Sequence, residues 1–229
     1  MLNPCLVMAS GMAGAGKTTL FQALATCIVN GVYLPRDPIM WAMMYVKLGR
    51  LPNLKSFRAY VGSDVKPGEV AEESTFCGTL LKINERREFF LRHVDDQSYL
   101  VLDRLAKIHL GHGKVPLLDS CLWYQIKGNV LQAFFAQKEY AGFARRLIHV
   151  VADPEVCYER HLARTKTHNA EERSAREPLS ASRDSFMREM REKYRRTPPG
   201  LEKFRHLVVD TTCRPIEECL EQCLEYISS

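Results

Sequence analysis

The sequence predicts an α/β fold, a three-layer sandwich with a central five-stranded parallel sheet. Short apolar runs alternate along the chain with longer stretches of helical periodicity. Most of these runs are continuously apolar, which is typical of strands covered on both faces. Because strands that alternate with helices are joined by right-handed crossovers, the strands should be parallel.

The predicted strands and helices follow in order along one domain, residues 1–229. Strands are predicted at 5–9, 31–34, 115–118, 147–152 and 207–209, and helices at 17–28, 85–110, 124–143, 154–164 and 215–227. Residues 41–82 contain turn signals such as Leu51-Pro52-Asn53, which indicate an insertion of a short helix and loops beside the sheet. Residues 164–199 are polar and arginine-rich, and we expect them to form a helical lid.

Composition excludes several classes of function. A chain of 229 residues can bury a core without metals or disulfides, and a net charge of +5 is too small to argue for nucleic acid. None of the eight cysteines forms a C-x-x-C pair, so we expect reduced thiols. No leader-like segment or long apolar run is found, and we expect a cytoplasmic protein without a membrane partner.

One motif carries most of the functional information, because it matches G-x-x-x-x-G-K-[ST] at every required position and stands between a predicted strand and a predicted helix. Its residues are Gly11, Met12, Ala13, Gly14, Ala15, Gly16, Lys17 and Thr18, followed by Thr19. Glycines let backbone N–H groups turn inward around phosphates, and the helix start adds positive charge. The lysine reaches the β and γ phosphates and the threonine hydroxyl ligates magnesium. The motif predicts a P-loop NTPase-type fold that binds ATP and Mg²⁺.

A carboxylate at the end of a buried strand can position the magnesium ion, usually through water. Asp119 ends the third predicted strand and is the best candidate for this task. Asp153 and Asp210 also end strands, but Asp153-Pro154-Glu155 is a standard helix start, so we interpret Asp153 as a cap.

The arginine-rich segment can serve phosphoryl transfer, because arginines on a lid stabilise the spreading negative charge and exclude water. The candidates are Arg160, Arg164, Arg173 and Arg176. The alternative is a solvated face with pairing between neighbouring helical turns.

With these features placed, the chain resembles the thymidylate kinase and deoxynucleoside kinase group of P-loop kinases. The resemblance rests on the phosphate loop, on Arg92 followed by a helix and the strand ending at Asp119, on Ser120-Cys121-Leu122-Trp123-Tyr124-Gln125, and on Asp153-Pro154-Glu155 followed by Arg160, Arg164, Arg176 and Tyr194. It implies an ATP-dependent transferase whose acceptor is a nucleoside or a nucleoside monophosphate.

The resemblance also assigns roles on the acceptor side. Arg92 falls where thymidylate kinases contact the acceptor's phosphate. Asp37, in Arg36-Asp37-Pro38, resembles the glutamate that acts as the catalytic base in deoxynucleoside kinases, and could deprotonate or orient an acceptor hydroxyl. The alternative for Asp37 is a turn residue before proline. The loop at Thr212 would lie near adenine. Asp119-Ser120-Cys121 departs from the family pattern, because the arginine expected after the aspartate is missing.

Three alternatives stay open. The chain could be a kinase for another small alcohol, a nucleotide-dependent regulatory ATPase, or a kinase-like protein that binds nucleotide without turnover. A GTPase would show an N-K-x-D motif, which the sequence lacks. A homodimer is also open, and an exposed apolar helix beside the third strand would favour one.

Overall fold

The computed structural model describes residues 2–40, 84–122, 125–126, 130–167, 183–193 and 197–229, with the backbone alone for 84–96, 165–167, 185, 189 and 191–193. The insertion predicted at 41–82 lies outside the described residues, as does most of the lid predicted at 164–199.

A single five-stranded sheet forms the centre of the described structure. Its strands are β1 (Cys5–Gly11), β2 (Gly31–Pro35), β3 (Val115–Asp119), β4 (Ala144–Val151) and β5 (His206–Asp210). All pair in parallel in the order β2-β3-β1-β4-β5. The predicted α/β fold with a parallel five-stranded sheet is therefore confirmed.

Helices cover both faces of this sheet. They are α1 (Lys17–Cys27), α2 (Asn84–Gly111), α3 (Val130–Phe135), α4 (Pro154–Thr167), α5 (Arg183–Lys193) and α6 (Ile216–Ser228). A further helical turn at residues 36–40 follows β2 directly.

The central strand β1 divides the core into two halves, because successive side chains of a strand point to opposite faces. Val7 and Ala9 belong to the cluster that includes side chains of α1, α4, α5 and α6. Leu6 and Met8 belong to the cluster that includes side chains of α2 and α3. All seven residues of β1 are buried. This double coverage explains why the strand has a continuous apolar sequence.

The helix predicted at 124–143 is wrong in its length. In the described part of that stretch, α3 ends at Phe135, and Gln137 adopts an extended backbone with φ −63° and ψ 138°. A short 3-10 turn then carries Tyr140 into the core, where its hydroxyl donates to Asp103 Oδ1 at 2.9 Å. Burial of this aromatic side chain requires the break, which helical periodicity alone does not signal.

Helix α2 ends at Gly111 in a turn closed by Gly113. The Gly113 N–H donates to Leu110 O at 3.0 Å and the Lys114 N–H donates to His109 O at 2.9 Å. Gly113 has a φ of +71°, a value that favours glycine. The chain then enters β3 directly.

Parallel strands place their carboxyl ends at one edge of the sheet, where ligands of open α/β folds bind. The glycine loop, Asp119 and Asp210 therefore meet at the same edge. Within the described part of the chain, no helix is both long enough and apolar enough to span a membrane.

Candidate active site

The glycine-rich loop joins β1 to α1 at this carboxyl edge. Gly11, Gly14 and Gly16 have φ of +136°, +79° and +88°, values at which a side chain strains the backbone. A Cβ on Gly11 would lie 2.0 Å from Val150 O, and one on Gly14 would lie 2.4 Å from Cys157 O. The loop thus rests directly on the backbone of β4 and α4, and glycine is required at both positions.

Lys17, the first residue of α1, folds back over the loop. Its Nζ donates to Gly11 O at 3.0 Å and to Met12 O at 2.7 Å. The first turn of α1 contains no acidic residue, and its leading N–H groups have no acceptor within the helix. The ammonium and the helix start together present positive charge to the space above the loop, which suits a polyanion such as a phosphate chain.

Thr18 and Asp119 lie in contact although 101 positions separate them in sequence. The Thr18 Oγ1 hydroxyl donates to Asp119 Oδ2 at 2.7 Å. Asp119 ends β3, which pairs with β1, so the sheet itself places this carboxylate beside the loop. The two residues predicted as magnesium ligands are therefore neighbours at the start of α1.

Tyr33 in β2 also reaches Asp119, a contact that sequence reasoning missed. Its phenol donates to the same Oδ2 at 2.8 Å. Burial, followed by the negative charge of Asp119 and its hydrogen bond, raises the pKa of Tyr33 far above its usual value, and the charge of Asp37 adds to this. The phenol therefore stays protonated and remains a donor at neutral pH. A tyrosine near the carboxyl end of an apolar strand was the only signal in the sequence.

The turn at residues 36–40 places Asp37 at the same carboxyl edge of the sheet as Asp119. Asp37 is exposed, and its charge acts on the Tyr33 phenol. Its neighbour Arg36 is buried, donates from Nε to Ser98 Oγ at 3.1 Å and stacks 4.6 Å from the centre of the Tyr99 ring. These contacts fix the turn against α2 and with it the position of the Asp37 backbone.

Arg160 on α4 reaches the phosphate loop through Thr211. Its Nη1 donates to Thr211 Oγ1 at 2.9 Å and its Nη2 donates to Thr211 O at 2.7 Å. The Thr211 hydroxyl donates in turn to Ala15 O at 2.8 Å. Arg160 Nη1 would lie 3.8 Å from a Cβ on Gly16, so its charge stands beside the loop. Sequence reasoning missed Thr211, whose partners lie 51 and 196 positions away.

The neighbouring Thr212 makes structural contacts. Its hydroxyl donates to Asp210 Oδ1 at 2.6 Å and accepts the Asp153 N–H at 2.9 Å. Asp153 Oδ1 accepts the Glu155 N–H at 2.8 Å, which is the capping contact expected at the start of α4. Arg164 is exposed near the end of α4.

For the remaining predicted site residues, the structure gives burial or backbone position alone, or does not describe them. In the loop, Met12 and Ala15 are buried and Ala13 is partly buried, while Thr19 is exposed on α1. The backbone of Arg92 belongs to α2, but its side chain lies outside the described residues. Arg173 and Arg176 lie outside them entirely.

These groups fit a nucleoside triphosphate and magnesium. The glycine conformations leave a cradle of backbone N–H groups, and Lys17 and Arg160 supply positive charge around it. A hydroxyl and a carboxylate in contact are the oxygen donors that Mg²⁺ prefers, either directly or through water.

A family model and several solved structures match this chain. A family model described as an AAA domain matches residues 6–189, which is most of the chain. No curated protein matches the sequence.

Solved structures share the fold at low sequence identity. A candidate kinase from Chloroflexus aurantiacus j-10-fl has 21% identity and a TM-score of 0.59, covering 99% of this chain and 97% of that chain. TT1252 from Thermus thermophilus has 16% identity and a TM-score of 0.57, covering 97% and 95%. A gluconokinase from Sinorhizobium meliloti 1021 has 12% identity and a TM-score of 0.50, covering 99% and 93%.

Proposed function

This chain belongs to the AAA domain family, and from that premise we propose that it is an ATP-dependent kinase acting on a hydroxyl group of a small molecule. The observation that carries the proposal is the contact of Thr18 with Asp119 beside the glycine loop. This pair, Lys17 and the loop form the phosphoryl-donor half of a kinase site. A nucleoside is the first acceptor to test, because the resemblance to nucleoside and thymidylate kinases points to that class.

The donor side binds and orients ATP. Backbone N–H groups of the loop, other than those of Gly11 and Ala15, which donate to Cys121 O and Met12 O, would hold the phosphates together with the Lys17 ammonium. Arg160 would add charge at Gly16. Thr18 and Asp119 would hold Mg²⁺, which supplies positive charge to the phosphate oxygens when bound.

Charge on the acceptor side favours a hydroxyl over a phosphate as the attacking group. Asp37 lies two residues beyond Pro35, which pairs with Asp119 in the register of β2 and β3, so both carboxylates lie at the carboxyl edge of the sheet. A hydroxyl acceptor needs a base, and Asp37 would accept its proton as the acceptor oxygen bonds to the γ-phosphorus and ADP leaves. A monophosphate acceptor would instead need arginines, and Arg92 and Arg176 are the candidates among the predicted residues.

The rest of the assignment follows from the same site. We propose a single kinase domain over residues 1–229, with an acceptor-side insertion at about 41–82 and an arginine-rich lid at about 164–199 that carries Arg164 and Arg176. The backbone near Thr212 would contact adenine.

A panel of acceptors tests the proposal. Nucleosides, nucleoside monophosphates, sugars and sugar acids are each incubated with ATP and magnesium, and acceptor-dependent ADP release is measured. We expect one class to be phosphorylated at a hydroxyl. If no acceptor is phosphorylated and a protein partner accelerates hydrolysis instead, the chain is a regulatory ATPase.

Lys17→Ala should lower the transfer rate by about 10²–10³-fold, because it removes a preorganised positive group from the phosphates. Stability should fall by about 1–3 kcal/mol, since the contacts of Lys17 with other described residues are two hydrogen bonds to loop carbonyls. Lys114→Ala is the matched control: Lys114 is exposed and precedes β3, at the opposite edge of the sheet. Full activity in Lys17→Ala would refute the donor site.

A further inference from the structure

Asp119 accepts a second hydrogen bond, from Tyr33, and this contact suggests a role for Tyr33 that differs from that of Thr18. We propose that Tyr33 is a positioning residue that holds the Asp119 carboxylate for magnesium and thereby sets the magnesium affinity of the nucleotide-bound protein. The inference rests on the proposed function for the identity of the nucleotide and the metal. It is carried by the hydrogen bond of 2.8 Å from the Tyr33 phenol to Asp119 Oδ2.

The register of β2 and β3 determines how far the Tyr33 side chain must extend to contact Asp119. In the register of β2 and β3, Tyr33 pairs with Leu117 and Pro35 pairs with Asp119. Tyr33 is thus two residues behind the level of Asp119 on the neighbouring strand, and side chains two residues apart point to the same face. Two residues span roughly 7 Å along a strand, a distance that a tyrosine can bridge and shorter polar side chains cannot.

Two hydroxyls donate to the same carboxylate oxygen, but they differ in their other tasks. Thr18 lies on α1 and is also a candidate metal ligand, so its oxygen would serve the ion and the carboxylate together. Tyr33 approaches from β2, and its ring packs against the core cluster that contains β1 and α1. Without the phenol hydroxyl, Thr18 alone would orient the carboxylate from the loop side.

This arrangement predicts a selective defect. Removing the Tyr33 hydroxyl leaves the glycine loop, Lys17 and the aromatic ring unchanged, so binding of metal-free nucleotide should be preserved. Binding of magnesium should weaken, because partners that orient a metal ligand typically account for about 10–100-fold in metal affinity. A tyrosine that merely satisfies its hydroxyl in the core would change stability without changing the response to magnesium.

The test measures binding of a fluorescent ATP analogue as magnesium is titrated, without any acceptor. In Tyr33→Phe we expect the magnesium concentration for half-maximal binding to rise about tenfold or more, and the affinity measured in EDTA to stay within about twofold. Tyr140→Phe is the matched control, because the Tyr140 phenol also donates to a carboxylate, that of Asp103, at 2.9 Å and outside the site. It should leave the magnesium response unchanged.

A double variant separates positioning from a general loosening of the fold. In the Asp119→Asn background, adding Tyr33→Phe should cause little further change in magnesium response, since the partner it positions is already altered. Additive effects, or an unchanged magnesium response in Tyr33→Phe alone, overturn the inference and leave the proposed function standing. Magnesium-dependent binding that Tyr33→Phe weakens, without phosphorylation of any acceptor by the wild-type protein, removes the kinase activity but supports the role of Tyr33. Wild-type binding that is indifferent to magnesium overturns both.

Discussion

Replacing Gly14 with alanine places a methyl group against the backbone of helix α4. The new Cβ would lie 2.4 Å from Cys157 O and 2.9 Å from Cys157 Cα, whereas ordinary contacts of such atoms begin near about 3.5 Å. The φ of +79° at Gly14 adds a second penalty, because a non-glycine residue is strained there.

Both penalties can be given a magnitude. The left-handed backbone conformation costs about 1–2 kcal/mol for alanine. Forcing the loop away from α4 costs about 1–3 kcal/mol more, as for other overpacked sites, so we expect a total loss of about 2–5 kcal/mol in the free energy of unfolding. Because the displaced segment is the phosphate loop, affinity for ATP should fall at least about tenfold, equivalent to about 1.4 kcal/mol.

Gly113→Ala is the matched control. Gly113 has a similar φ of +71°, but a Cβ there would meet nothing within 4 Å. The free energy of unfolding of Gly113→Ala should fall only by the backbone penalty of about 1–2 kcal/mol, and its affinity for ATP should be unchanged. Urea unfolding and titration with a fluorescent ATP analogue measure the two quantities. If both variants lose the same stability and both bind ATP normally, the loop is not seated on α4 as described.

Two further predictions concern Thr211 and the buried thiols. Thr211→Val keeps the shape of the side chain but removes the hydroxyl bonds to Arg160 and Ala15, so ATP affinity should fall about tenfold, equivalent to about 1–2 kcal/mol. An unchanged dissociation constant would argue against a role of these hydrogen bonds in holding the loop. Burial raises the pKa of Cys157 to about 11 and that of Cys223 to about 12. In native protein at pH 8 these two thiols should therefore resist alkylation by iodoacetamide, whereas the exposed Cys27 should react. Peptide mapping before and after unfolding in urea measures this, and equal labelling of Cys157 and Cys27 in native protein would contradict it.

The sheet could be predicted because β1 and β3 are buried at every position and therefore have continuous apolar runs, and because the edge strands β2 and β5, which are only partly buried, still have short ones. The prediction at β4 shows the limit of this signal. The apolar run begins at Leu147, but pairing with β1 begins at Ala144, where the side chains are exposed or partly buried. Apolar sequence marks the buried part of a strand and not its whole hydrogen-bonded length. The overlong helix at 124–143 has a related cause, since a tertiary contact of Tyr140 decides where the helix ends.

The residues of the candidate site also differ in how far the sequence could predict their roles. The loop could be predicted from contiguous residues, because glycines, lysine and threonine at fixed spacing have few other uses. Asp119 followed from its place at a strand end. Thr211 and Tyr33 could not be identified, because their roles come only from contacts across the sheet, with partners far away in sequence.

The contacts that support the phosphate loop also determine when, during synthesis, the protein can first bind a nucleotide. The loop is synthesised before all of the residues that support it, which are Asp119, Val150, Cys157 and Thr211. Such non-local contacts form slowly and late, since long loops must close before they are made. A nascent chain would therefore carry the whole motif long before it could hold a phosphate. Acquisition of nucleotide binding during synthesis would report that β5, the last of the described strands, has docked at the edge of the sheet.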